Sequence, residues 1–415
     1  MKRTVLVAAV LLGIPLSVLA CLWDSDTPAS EAKGMPEVVA VLAGRFERNP
    51  PLYYEMRLKR VTAELQSRPE DLAAYDDAGV ACDRLGRGDE AISWMKRKLA
   101  ILEKVDPPEI QATDNRSRLE ASNHRYRCHA NLGTFLVHRW ARQGADRARL
   151  DEVKTSRDEI AKALAINPDA HFGREKCQLQ AIDWIISPPE WKGRQYLPNL
   201  LGFGAGGYSG KAVDPKVADD AVRGLSGLVV LGNAWESVDI FYALNFALQH
   251  DNIGFGEMPE GGRNTLAYLA WLRCSELIDA GKGSMLPDAP KGEDLKKLLE
   301  RPEFIQPNEL LDAEFKRLRS EADVWHKART TFMTKRLDEG CHPDTDRDFW
   351  KGYHQDPTPE LSAMSVPQVF KERTMWNERV ALAVLIGVPI LLVTFVVVLA
   401  KSKASSDRKR VLREL

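Results

Sequence analysis

Apolar residues recur at helical spacing along most of this chain. Pro51 precedes a stretch in which Leu58, Val61 and Leu65 fall three and four residues apart, which predicts an amphipathic helix with a proline at its start. Further on, Val238 to Leu248 and Asn264 to Leu277 read as two more helices, joined by a loop holding Gly254, Gly256, Gly261 and Gly262. Residues 291–340 read as charged amphipathic helices with Leu310, Leu311, Phe315, Leu318 and Trp325 on the apolar face. Two runs break the alternation. Thr4 to Ala20 is apolar after the basic Lys2-Arg3, and Val380 to Ala400 is 21 residues without a charge. At ~1.5 Å per residue the second run spans a hydrocarbon core of ~30 Å.

The most informative stretch lies between these helices. Tyr75, Gly79, Cys82, Gly86, Ala91 and Met95 follow Leu72 at spacings that suit two helices crossing closely. Gly79 and Ala91 are small where the helices meet, Gly86 opens the turn, and Tyr75 and Met95 fill the space beside the crossing. The pattern resembles a tetratricopeptide repeat, a helix-turn-helix unit of 34 residues. It departs from that family at Cys82, usually aromatic, and at Lys98, usually alanine. A second unit is read around Gly133, with Leu132 beside it and His129 at an inward packing site; its second helix ends in Ala163 and Pro168, with an insertion near Arg139 to Leu150. Another helix follows, with Cys177 and Ala181 inward. The resemblance covers roughly residues 53–280 and weakens along the chain. It implies an all-α fold, an α-solenoid of tetratricopeptide-like helix pairs with a C-terminal transmembrane helix. A narrower likeness, carried by Cys21 to Thr27 and Asn167 to Glu175, is to planctomycete-type predicted lipoproteins with tetratricopeptide repeats; it brings no activity with it.

The ends imply a location. Basic residues, an apolar run and a small residue before Cys21 have the layout of a secretory signal. Val18-Leu19-Ala20-Cys21 resembles a bacterial lipobox, which implies lipidation of Cys21; plain cleavage after Ala20 and an uncleaved anchor are the two other readings. After Ala400 the tail carries Lys401, Lys403, Arg408, Lys409, Arg410 and Arg413, and positive flanks stay cytoplasmic. The expected organisation is a signal peptide at 1–20, an entry segment at 21–52, the repeat domain at 53–280, capping helices at 281–340, a stalk at 341–379, the membrane helix at 380–400 and a basic cytoplasmic tail at 401–415. The body would lie outside a bacterial cytoplasmic membrane.

Candidate chemistry changes this picture little. A formal net charge of -1 argues against a phosphate-binding surface, so nucleic acid is not an expected partner. Gly202 to Ala212 looks like a phosphate loop, but Ala205 and Ala212 stand where glycine and a hydroxyl residue are needed. His124, Cys128, His129 and His138 do not converge as metal ligands on one helix face, and Cys341-His342 with His354 is weaker still. Apart from Cys21, the five cysteines Cys82, Cys128, Cys177, Cys274 and Cys341 suggest no disulfide framework, and Cys82 and Cys177 fall at packing positions. No catalytic constellation, metal or cofactor is expected.

What remains is binding. Stacked helix pairs leave an extended inner groove, and Asp76, Val80, Arg127, Thr134 and His138 are the expected groove positions for a protein or peptide. Asp76 and Asp77 there predict a basic or mixed ligand. The expected function is thus an adaptor or assembly scaffold. A structural envelope protein without a defined partner and an enzyme with a site near residues 200–265 are the alternatives.

Overall fold

A computed structural model describes residues 22–27, 37–105, 115–168, 173–203, 213–232, 234–250, 262–302 and 309–361. The signal segment, Cys21, the tract 204–212, the loop 251–261, the membrane run and the basic tail lie outside the described residues. Among those described, no helix is long and apolar enough to cross a membrane, and no strand is present.

The described chain is helical throughout. Its helices, in order, are α1 (Val38–Ala43), α2 (Pro51–Ser67), α3 (Leu72–Arg84), α4 (Gly88–Val105), α5 (Asn115–Arg142), α6 (Leu150–Ile166), α7 (Arg174–Ile186), α8 (Pro215–Val230), α9 (Val238–His250), α10 (Gly262–Asp279), α11 (Glu293–Lys297) and α12 (Glu309–Asp338). From α2 to α10, each described helix packs on its neighbour in sequence, including the pairs on either side of the undescribed tracts. Local chemistry sets many boundaries. Pro51 and Pro215 stand in the first turns of α2 and α8, where a missing N–H does no harm. The carboxylates of Asp71 and Asp214 cap α3 and α8 by accepting from Ala74 N and Lys216 N. Gly86 turns the chain from α3 into α4 at φ 77°, a left-handed conformation that suits glycine.

Small residues set the closest approaches, as expected from the spacing. Ala91 and Ala163 are fully buried. A methyl group on Gly79 would lie 2.8 Å from the Met95 terminal methyl and 3.0 Å from the Phe135 ring. On Gly133 it would lie 2.8 Å from Ile160 and 2.9 Å from the Ser156 carbonyl oxygen. Tyr75 is buried beside the α3–α4 crossing, with its hydroxyl donating to the Pro69 carbonyl. Pro168 is exposed, two residues beyond the end of α6. The insertion in the second unit is a turn through Gly144 and Ala145, followed by a short 3-10 segment, Arg147–Arg149.

Two segments outside the expected repeat domain join its core. In the entry segment every residue of α1 is buried, and α1 packs against α8, α10 and α12. The first part of the expected stalk packs on the body as well. His342 stacks on Tyr53 with ring centroids 4.5 Å apart, and Phe349 is buried in a cluster with Tyr53, Tyr54, Ala81 and Met333. Arg45, just after α1, donates to the carbonyls of Asp356 and Pro357. The reason is burial. α2 would otherwise expose one end of the stack, and α12 with the residues after it covers that end. The covering stripe on α12 is Leu311, Phe315, Leu318, Ala322, Trp325, Arg329, Met333 and Leu337, while Leu310 is 52% exposed.

Candidate functional site

The inner face of α2, α3 and α5 holds a short stretch of the chain's own sequence, Leu22 to Thr27. Asn131, on α5, grips the backbone of Trp23 from both sides. Its side-chain oxygen accepts from Trp23 N at 2.7 Å, and its amide donates to the Trp23 carbonyl at 2.9 Å. The Trp23 indole N–H donates to the Tyr126 hydroxyl at 3.2 Å, the two rings meet edge to face, and the Arg127 guanidinium lies 4.6 Å from the indole centroid. One turn along α3, Asp77 accepts from both the backbone N–H and the hydroxyl of Ser25, at 2.8 and 2.7 Å. Leu22 joins the apolar core with Val61, Leu65, Tyr75 and Val80. The segment also braces itself: the Asp24 carboxylate accepts from Asp26 N and from the Thr27 hydroxyl.

Asp24 and Asp26 face one cation. Arg57, on α2, is fully buried and donates to Asp24 at 3.1 Å, to Asp26 at 2.8 Å and to Asp344 at 2.6 Å. The Tyr53 hydroxyl donates to Asp26 and lies against the Arg57 guanidinium. A buried guanidinium is tolerated only with such partners, and two of its three carboxylates come from residues 22–27. Burial, with Asp26 close by, pushes the Asp24 carboxyl up to about 7, while Arg57 pulls in the other direction. Beside this cluster lies a cavity of 230 Å³, walled by Leu22, Asp24, Asp26 and Thr27 on one side and by Tyr54, Arg84, Leu231 and Trp350 among the others.

The structure brings the expected groove positions to this face but does not leave them open. Asp76 is buried and paired with the equally buried Lys98 at 2.6 Å. That pair accounts for the lysine at a position where the repeat family usually has alanine: it neutralises the acid facing it. Val80 is buried and walls the cavity. Thr134 is buried and accepts from Gln178 at 3.0 Å. His138 is not a groove contact either. It is 1% exposed, and its Nδ1 lies 2.8 Å from Asp83, which also accepts from Arg142. His138 and Arg142 together hold the Asp83 carboxyl well below the usual range despite its burial. Arg127 alone is half-exposed, over Trp23. The segment held here is acidic: its Asp24 and Asp26 pair with Arg57, while Lys98 neutralises Asp76.

Residues missed by spacing arguments are Arg57, Asn131, Tyr126 and Asp344. One of them had a signal. Tyr53, Arg57, Val61 and Leu65 lie four apart, so Arg57 sits in the apolar stripe of α2 and demands a buried acid. The remaining histidines are structural in setting: His129 pairs with Glu159 at 2.6 Å, and burial beside Lys98 and Arg127 lowers His124 to about 4. Among the described residues no group of three His, Cys, Asp or Glu is placed to hold a metal. The two strings that carried the narrower likeness meet here, since Tyr126 accepts from Trp23 and donates to the buried Glu175. Comparison with family models, curated proteins and solved structures finds no match for this chain.

Proposed function

We propose that this protein is a membrane-anchored, extracytoplasmic scaffold of tetratricopeptide-like helix pairs that binds a peptide or protein segment on the inner face of α2, α3 and α5. One observation carries the reading: that face already grips a short stretch of chain by its backbone, through Asn131 and Asp77, and reads its side chains through Tyr126, Arg127 and Arg57. Backbone capture by side-chain amides and carboxylates leaves the captured side chains to be read by the groups around them, which adds selectivity. The close crossings at Gly79 and Gly133 and the turn at Gly86 support the assignment of the helix pairs to the repeat family. The basic tail and the apolar run at 380–400 support the membrane anchor and its orientation. With Cys21 as the first residue of the mature chain, Leu22 to Thr27 would be the stretch nearest a lipid-linked N-terminus.

A photo-crosslinking amino acid at Arg127, introduced into the full-length protein in its own membrane, tests the reading. A stoichiometric adduct that disappears when Asn131 is replaced by aspartate supports a partner on this face. Repeated failure to form any adduct, with the protein folded and in place, refutes it.

A further inference from the structure

The segment in the groove belongs to the chain, yet every group that holds it from outside is remote in sequence. Asn131 and Tyr126 are 108 and 103 residues from Trp23, Asp77 is 52 from Ser25, and Arg57 is 33 and 31 from Asp24 and Asp26. Asp24 to Thr27 form a turn of their own, closed by Thr27 N donating to the Asp24 carbonyl at 3.2 Å, and the segment lies across the inner face as a ligand does. Its removal would have specific consequences. Arg57 would keep one carboxylate, Asp344, where it now has three. Asn131 would lose both of its bonds to the Trp23 backbone, and Asp77 both of its bonds to Ser25. The cavity of 230 Å³ would lose the wall formed by Leu22, Asp24, Asp26 and Thr27 and merge with the vacated groove.

We infer that residues 22–27 act as a tethered ligand that competes with an outside peptide of the same chemistry: an aromatic residue, followed by carboxylates one and three positions later, in the turn that Asp24 and Thr27 close. This deepens the scaffold reading and rests on it. The committed occupant is acidic and aromatic because the groups left behind are complementary to that and to little else. Arg57 lacks counter-charge on that side, Arg127 and Tyr126 frame an indole-sized slot, and Asn131 takes the backbone between them. Tethering sets the size of the competition. A short linker holds its ligand at an effective concentration of order millimolar, so an outside peptide of roughly 10 μM intrinsic Kd would be weakened roughly a hundredfold while the cis segment is docked.

The test uses the full chain in detergent micelles and a fluorescein-labelled peptide, Leu-Trp-Asp-Ser-Asp-Thr, followed by fluorescence anisotropy. A variant carrying Trp23→Ala and Asp26→Ala should bind the peptide at least tenfold more tightly than the unaltered chain. A control peptide with alanine for tryptophan and asparagine for both aspartates should bind neither. A second route avoids any folding question: a specific protease site introduced within residues 28–36 is cut after purification, and nicking should produce the same gain. Equal binding before and after loosening or nicking overturns the inference, as does no binding in either state. Should the peptide fail while the Arg127 crosslink still captures a partner, the tethered-ligand inference falls and the scaffold reading stands; should both fail, both fall.

Discussion

Replacing Gly133 with alanine sets two effects of opposite sign against each other. Alanine is a better helix former than glycine by about 1 kcal/mol in a helix interior, and Gly133 lies well inside α5. Against this, the new methyl would sit 2.8 Å from Ile160 and 2.9 Å from the Ser156 carbonyl oxygen. The isoleucine can rotate away, but the carbonyl belongs to the backbone of α6. The two helices are also stitched at that level, because the Ser156 hydroxyl donates to the Gly133 carbonyl at 2.6 Å. Relieving the clash means moving α5 and α6 apart. Overpacking of this kind costs about 1–3 kcal/mol, and stretching the Ser156 bond adds about 1 kcal/mol. The net expectation is destabilisation by about 1–3 kcal/mol. For a body of this size each kcal/mol corresponds to a fall in thermal midpoint of a few degrees. Gly88→Ala is the internal comparator, since its methyl would meet only the aliphatic stem of Arg139 at 3.2–3.6 Å, a side chain free to adjust. Thermal unfolding of both variants by circular dichroism reads the difference. An unchanged or raised midpoint for Gly133→Ala would show that α5 and α6 do not cross as closely as described, and the packing logic of the stack would fail with it.

Three further outcomes are expected. Asp239 is buried, accepts from the Ser284 hydroxyl and Met285 N, and has its carboxyl raised to about 6 by burial. Its contribution to stability is therefore full below the ordinary carboxylate range and is lost as pH rises from about 4 through about 6; Asp239→Asn should flatten urea-denaturation midpoints across that window, and an unchanged slope would count against it. Asp83 behaves oppositely: with its carboxyl held low by His138 and Arg142, its stabilisation is present above the ordinary carboxylate range and lost as acid protonates it, so Asp83→Asn should lower stability at neutral pH and weaken the acid dependence in the same assay. Thiol labelling separates the described cysteines: burial pushes Cys82, Cys128 and Cys177 up to about 12 and raises Cys274 as well, whereas Cys341 is part-exposed. Mass spectrometry after brief treatment of the folded chain with iodoacetamide should find Cys341 modified and those four intact, and early modification of any of the four would contradict their burial.

The helices were legible because their buried faces recur every three to four residues. The small residues at Gly79, Ala91, Gly133 and Ala163 were legible because two helices cannot approach closely without them. α8 carries the same kind of signal in Ala218, Val222, Leu225 and Val229, all buried or nearly so. The candidate site was harder to read for a physical reason. Leu22 to Thr27 has no periodicity, since a short turn bound through its backbone need not alternate, and its partners are scattered over three helices. Arg57 announces a buried charge by its place in an apolar stripe, but nothing local names Asp344, which lies 287 residues away. Of the groove positions taken from the repeat pattern, Asp76, Val80, Thr134 and His138 are buried and Arg127 is half-exposed, and such exposure depends on what else the chain lays over a helix face, which spacing does not show.

The contact between Arg57 and Asp344 has a consequence for how the protein is made. A linear stack of repeats acquires its neighbours in the order of synthesis, and each pair is satisfied soon after it emerges. Here the first long helix must wait for nearly the whole body to be synthesised before its guanidinium meets that carboxylate and before Phe349 fills the pocket beside Tyr53 and Tyr54. Until then the leading end carries an exposed aromatic patch and a charge without its full complement. Completion of these contacts is thus a late event, and the partly made chain is the form most in need of a chaperone.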